Sequence, residues 1–433
     1  ISRGGKFTYV AGIDQDLLMG GVKYGYRAYV VINDKTYLSR ETGYFQLQDD
    51  CVQPQAGSGT ITFTIDASLG EDYENDCRLT YGSLQTAIYK LRDSYDDPNG
   101  YDYVKKSTKN GHNTYNLRQP VVFNVHYYDD TPDDPTKAYC YEGTEKAGVS
   151  GGGDDSRAAY SLIFKDFNRF DGDDNAVNKA NTLTIQGASG SNRPWLHHVI
   201  LRNSRNVILD NLGIFSDPTN TKKDDALEFD INESSFWDID LNENLQDANV
   251  IVRNCMIGSN GFTGVHASGY DGITFENNEF EAIQNKDPNT IDWGASAKFM
   301  MCQNIKFVRN NFRGEHATLV WLQECQKVLF MNNVFWNTNQ YNSSKCAAIR
   351  LVAQYNRNVS NHAFLYNTFY LADNDNTHHY NFFKFDLKSG SAGQTGKNTN
   401  YKTESIYFKY NNCYSYDKDI EGCSDDTFEG LIG

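Results

Sequence analysis

Six residues, Glu228, His266, Lys298, Trp321, Arg350 and Lys384, each stand between apolar neighbours in short strand-like runs: Leu227-Glu228-Phe229, Val265-His266-Ala267, Ala297-Lys298-Phe299, Val320-Trp321-Leu322, Ile349-Arg350-Leu351 and Phe383-Lys384-Phe385. Side chains alternate across a strand, so in each run the flanking residues point one way and the central residue the other. If the runs stack, the six central residues form one row, mainly of titratable groups, with a single indole. A second row two residues on holds Asp230, Ser268, Met300, Gln323 and Asp386.

Such a face suits an acidic ligand. β-Elimination at a uronic acid needs a group that neutralises the carboxylate and so acidifies the adjacent C–H, and a base that takes the proton. Lys298, flanked by His266 and Arg350, is the candidate base, because like charges packed beside it lower its pKa. Trp321, Lys384, Gln323 and Asp230 are candidate substrate contacts, the indole as a flat platform for a sugar ring. The plainer alternative is a solvated face whose Lys and Arg only discourage aggregation.

An acidic stretch begins beside Glu228. Asp224, Asp225 and Glu228, with Asp230 next, have the hard oxygen donors that hold Ca²⁺, and a Ca²⁺ there would bridge a substrate carboxylate to the protein. The same carboxylates, Asp225 and Glu228, are alternatively the acid and base of an inverting glycosidase. A third alternative is binding without turnover, as in a surface adhesin.

The elements that must position these residues follow from a repeat. Segments such as Asn249-Val250-Ile251-Val252-Arg253-Asn254, Gly272-Ile273-Thr274-Phe275-Glu276-Asn277-Asn278 and Lys327-Val328-Leu329-Phe330-Met331-Asn332-Asn333 share one plan. Apolar and outward residues alternate, an Asn turn follows, and an apolar residue such as Ile257, Phe280 or Phe335 comes next. Val250 to Ile273 and Ile305 to Val328 are each 23 residues apart, and other intervals are longer. A constant minimum with variable excess marks a repeat carrying loop insertions. A coil of that length holds three short strands and three turns, and stacked coils rise about 4.8 Å with like residues above like. Seven residues before Ile273, Ile305 and Val328 stand His266, Lys298 and Trp321. The fold class is therefore all-β: a single-stranded parallel β-helix. Asn at equivalent turns is expected to stack as a hydrogen-bonding ladder, and Cys302 and Cys325 as a buried pair, with a disulfide the alternative.

Upstream, Ser83 caps a segment whose Leu84, Ala87, Ile88 and Leu91 follow helical spacing, and one such helix closes the open end of a solenoid. The expected organisation is a β-rich region over 1–80, a capping helix over 81–95, the β-helix over 120–415 and a C-terminal tail over 416–433. Residues 96–118 and 128–180 read as long polar loops.

The 433 residues carry a formal charge of −16, which argues against nucleic-acid binding. No apolar run is long enough to span a membrane. The first residues, Ile1-Ser2-Arg3-Gly4-Gly5, do not read as a charged-then-apolar export signal; with any leader removed before this numbering, the expectation is a secreted, periplasmic or cell-surface monomer whose partner is an acidic polysaccharide or oligosaccharide.

The stretch Asn206-Val207-Ile208-Leu209-Asp210-Asn211-Leu212, then Asp225-Ala226-Leu227-Glu228, then Asn249-Val250-Ile251-Val252-Arg253-Asn254-Cys255 resembles the pectate-lyase-type β-helix superfamily. The resemblance covers about residues 120 to 415. It implies a right-handed coil and maps a Ca²⁺ ligand onto Asp225, while the family's motif histidine is Asn254 here. The region from Lys298 to Leu322 is similar, more weakly, to the chondroitinase B and alginate lyase family. That likeness implies a Lys base at Lys298. Trp321 stands where the family's Arg would be, and Arg350 lies one coil further. The function expected is a polysaccharide lyase.

Overall fold

In the computed structural model, the described chain runs from Lys23 to Ser415, apart from intervening segments of which the longest are 130–138, 147–159, 170–180, 217–224, 232–246, 283–294, 338–346, 372–380 and 388–402. It is a parallel β-helix. Each coil gives one strand to each of three sheets, as in Asp271–Glu276, Glu279–Ala282 and Ala295–Met300, after which Gln303–Val308 returns to the first sheet. We call the three the long sheet, the flank sheet and the site sheet.

The register follows the repeat. Val250, Ile273, Ile305 and Val328 stand in line on the long sheet, although the step from Ile273 to Ile305 carries an insertion. Insertions leave the stacking intact because they leave the coil at its corners, where strands end.

The core is built from identical residues stacked on successive coils. Phe275, Phe307, Phe330 and Phe364 lie nearly parallel with centroids 5.1, 4.7 and 4.9 Å apart. Phe280, Phe312, Phe335 and Phe369 form a second stack at 4.3, 4.8 and 4.7 Å. Beyond area burial, each such ring pair adds about 0.5–1.5 kcal/mol.

The Asn turns divide two tasks that the sequence reading assigned to one residue. Of each consecutive pair, the first takes the left-handed backbone: Asn277 at φ 54° and Asn332 at φ 58°, with Arg309 and Tyr366 in the same role at 58° and 57°. The second residue turns inward and makes the ladder. Asn278, Asn310, Asn333, Asn367 and Asn411 link coil to coil, each of the first four donating through Nδ2 to the next residue's Oδ1 at 2.9–3.1 Å.

The capping helix spans Leu84–Asp93, with the Ser83 hydroxyl accepting from Thr86 N and with Leu84, Ala87, Ile88 and Leu91 buried. Two readings differ from the structure. Ile61–Ile65 pairs in parallel with Val121–Val125, so the stack includes a strand upstream of residue 120. The 55 residues between these strands hide the period. The supposed polar loops also contain structure: a hairpin of Val104–Lys109 and His112–Leu117, and the strand Tyr160–Lys165, which opens the parallel part of the site sheet. Polar residues fill the hairpin strands, and in Tyr160–Lys165 the outward Ile163 breaks the apolar–polar alternation. Residues 1–22 of the expected β-rich region and the tail 416–433 lie outside the described residues.

Cys302 and Cys325 are buried free thiols, as the ladder reading expects, and Cys77 is disulfide-bonded. Burial, then the Cys302 contact, pushes the Cys325 thiol well above its ordinary value, which keeps it unreactive.

One interior position breaks the apolar rule. His362 is fully buried where the adjacent coils of the long sheet carry Val328 and Ile406, and Val328 N donates to its Nδ1 at 3.3 Å. Its Nε2 has no hydrogen-bond partner among the described residues. Burial depresses its pKa to about 4 from 6.5. The unfolded chain therefore binds a proton that the folded chain refuses. Stability from this site is complete above pH 6.5 and falls as pH drops towards 4, by about 3 kcal/mol in all. His362→Val is expected to flatten the acid side of the stability profile by about that amount in urea titrations between these limits. An unchanged profile would exclude the assignment.

Candidate functional site

The site sheet runs from Tyr160–Lys165 through Val199–Arg202, Asp225–Asp230, Thr263–Ser268, Ala295–Met300, Thr318–Gln323 and Ala347–Ala353 to Asn381–Leu387. Its strand pairing sets Glu228, His266, Lys298, Trp321, Arg350 and Lys384 in a single register, one per coil. The row thus exists as read. It continues upstream as Ile200 and Ile163, which form a small apolar patch before the charged part.

A third row joins it. Ala226 and Leu227 are both buried in the core, so the strand turns two consecutive residues inward and brings Asp225 to the same outer face as Glu228. Strict alternation would have put residues three apart on opposite faces. The bend recurs in later coils, where Leu319 and Val320, then Ala348 and Ile349, are core residues, and Ala295 packs outside against Trp321 and Val352.

This bend creates the best-defined constellation of the face. His266 Nδ1 lies 3.1 Å from Asp225 Oδ2. A carboxylate only accepts, so it selects the imidazole tautomer that carries its proton on Nδ1. Nε2 then holds a lone pair; it and Asp225 Oδ1 are buried without a hydrogen-bond partner among the described residues. This is the arrangement of an oriented general base.

The cations form a sandwich. Lys298 Nζ lies 4.9 Å from the centre of the Trp321 ring and Arg350 Cζ 4.0 Å from it, and by register they come from the coils on either side. Cation–π attraction holds both charges against one indole. The ring faces are therefore taken, and Trp321 acts as a spacer for two cations and not as an open sugar platform. All three are nearly enclosed, at 7, 4 and 4 % exposure for Lys298, Trp321 and Arg350. The Lys298 pKa is lowered by burial, against the opposing pull of Asp225 and with a smaller push from Arg350 in the same direction as burial. The direction is the expected one, but desolvation leads and like charge is secondary.

Glu228 faces a residue that the sequence reading passed over. His198, with its backbone at φ 42°, sets Nε2 3.6 Å from Glu228 Oε2 and Nδ1 2.8 Å from the Ser161 hydroxyl. Burial alone would raise the Glu228 pKa, but His198, with His266 and Arg202, brings it below its ordinary value. The only available signal was the His197-His198 pair next to a strand, which carries no spacing rule.

The remaining candidates are dispersed. Asp230 Oδ2 accepts from Arg202 Nε at 3.0 Å, so this carboxylate is engaged with its own protein. Gln323 is buried in the second row beside Met300, and Lys384 is half-buried at the C-terminal end of the first. Of the Ca²⁺ candidates, Asp224 lies outside the described residues, while Asp225 and Glu228 each face a histidine. No group of three His, Cys, Asp or Glu side chains among the described residues is placed to hold a metal.

No family model matches the chain, and no curated protein matches it. Solved structures with a similar course are DFA-IIIase from Arthrobacter chlorophenolicus A6 without its lid (10 % identity, TM-score 0.37, 82 % of this chain and 90 % of that one), the Streptococcus pneumoniae surface protein and adhesin PfbA (11 %, 0.23, 69 % and 86 %) and the GH136 lacto-N-biosidase of Eubacterium ramulus (10 %, 0.22, 81 % and 68 %). At these values the likeness supplies no chemistry. Among the described residues, no helix is long and apolar enough to cross a membrane.

Proposed function

We propose that the protein is a polysaccharide lyase that cleaves a uronic-acid-containing glycan by β-elimination on the site sheet. The observation that carries this reading is the neighbourhood, on consecutive coils, of a carboxylate-oriented imidazole and two enclosed cations. Lys298, the cation next to His266 in the row, neutralises the uronate carboxylate and thereby acidifies the adjacent C–H. His266 takes that proton through Nε2, with Asp225 as its positioning residue, and hands it on to the leaving glycosidic oxygen as the C–O bond breaks and the C=C bond forms. Arg350, always charged and on the far side of the indole, pairs with the carboxylate of a neighbouring uronate. This division gives His266 the roles of base and then acid, and Lys298 that of the neutralising cation. Low local dielectric strengthens each of these contacts. Secretion or surface display fits a polymeric substrate.

Incubation with pectate, alginate and glycosaminoglycans, followed in the ultraviolet, tests the reading. Unsaturated uronide ends absorb, and the signal is expected with at least one polymer. Reducing ends without that absorbance would mean hydrolysis instead, with Asp225 and Glu228 as acid and base. Neither signal, with retained binding, would leave a glycan-binding protein.

A further inference from the structure

The flank sheet carries an outward row of its own. Register aligns Glu281, Arg313, Trp336, Tyr370 and Tyr414 on successive coils. Its last three members are aromatic. Trp336 and Tyr414 are 45 and 54 % exposed, and the rings of Trp336 and Tyr370 meet edge to face with centroids 6.0 Å apart. Two residues back on each strand runs a parallel outward row of Asn311, Val334, Thr368 and Asn412.

Charge on this face is balanced locally. Arg313 Nη2 lies 3.5 Å from Glu279 Oε2 and 3.9 Å from Glu281 Oε1, and Arg193 Nη2 lies 3.7 Å from Glu279 Oε1. The aromatic coils themselves offer rings, amides and a hydroxyl.

We propose that this face binds a neutral glycan lying along the coil axis, separate from the cationic row on the site sheet. Trp and Tyr present a flat apolar body with a polar edge, which matches the C–H face and hydroxyl rim of a pyranose. The strands hold the rings one coil apart, 6.0 Å between the Trp336 and Tyr370 centroids, so a chain of sugars meets successive rings without ordering any loop. Asn and Thr beside the rings supply donors and acceptors to the hydroxyls. Among the described residues, the three aromatic strands offer a charged polymer no counter-charge. A second copy of the chain is disfavoured, because three rings fall far short of the roughly 800 Å² per partner of a stable interface and each copy carries −16.

Affinity electrophoresis of the full chain in gels containing hydroxyethylcellulose, galactomannan or soluble starch, with polygalacturonate as the acidic control, tests the proposal. Retardation by at least one neutral polymer is expected. Trp336→Ala or Tyr414→Ala should each weaken it about tenfold, and Trp336→Phe should keep it within about threefold. Circular dichroism checks folding of each variant, and two separate alanine variants keep the outcome readable if one fails to fold. Two results would overturn the proposal: no retardation by any neutral polymer, or retardation unchanged in the Trp336→Ala/Tyr414→Ala double variant. A concentration-dependent dimer in sedimentation, lost in that double variant, would overturn it in favour of self-association. Ultraviolet activity on short oligouronides should be the same in Trp336→Ala as in the parent, so failure of the elimination reading leaves this result untouched.

Discussion

His266→Ala is expected to lower kcat about a thousandfold on whichever uronide polymer the protein cleaves, with little change in KM. The imidazole is the only group on the row whose lone pair is both oriented by a neighbour and unspent within the described residues, through the 3.1 Å contact with Asp225. Removing it takes away the base while leaving Lys298, Trp321 and Arg350 stacked. Asp225→Asn keeps the shape but releases the tautomer, and should cost about a hundredfold, again in kcat. Asp225→Glu should recover part of that loss, which a merely structural role for Asp225 would not explain. Arg350→Ala removes the contact to a neighbouring carboxylate and should raise KM with little change in kcat. Stopped assays of initial rate against substrate concentration separate these patterns. Full activity in His266→Ala, with inactivity in Lys298→Ala, would transfer the base to the lysine and remove the role given to the imidazole.

Asn333→Ala is expected to cost about 4 kcal/mol of folding stability, read from urea unfolding followed by circular dichroism. The Asn333 side chain accepts from Asn310 N at 2.8 Å and Asn310 Nδ2 at 3.1 Å, and donates to Phe307 O at 2.9 Å and Asn367 Oδ1 at 3.0 Å. Four hydrogen bonds at about 1 kcal/mol each account for the figure, and the partners left behind are buried away from water. Its neighbour Asn332 is a built-in control: exposed and at φ 58°, it should tolerate glycine with little loss. Because each coil rests only on its neighbours, the damage should spread as a loss of cooperativity between the two halves of the stack. A cost below about 1 kcal/mol would mean that water replaces the ladder.

Much of the row was legible beforehand. Period-two alternation tells which side of a strand a residue takes, and a repeat tells which residues share a level. Together they align His266, Lys298, Trp321 and Arg350 although loops of different length separate their strands. The Cys302 and Cys325 thiols and the cap at Ser83 were legible for the same reason, since each depends on a local pattern or on the repeat.

What one chain could not disclose arose from departures from those two rules and from contacts across coils. Two consecutive inward residues, Ala226 and Leu227, bring Asp225 round to His266, and no local pattern announces that bend. His198 reaches Glu228 from another coil, so its role depends on stacking and not on spacing. The indole of Trp321 reads as a platform when taken alone, yet its two neighbours in the row cover both faces. Residue types and their period thus determined the solenoid and the list of groups on its faces. The tertiary structure decided their protonation, their partners and which surfaces stay open, because those depend on burial and on distances between residues far apart in sequence.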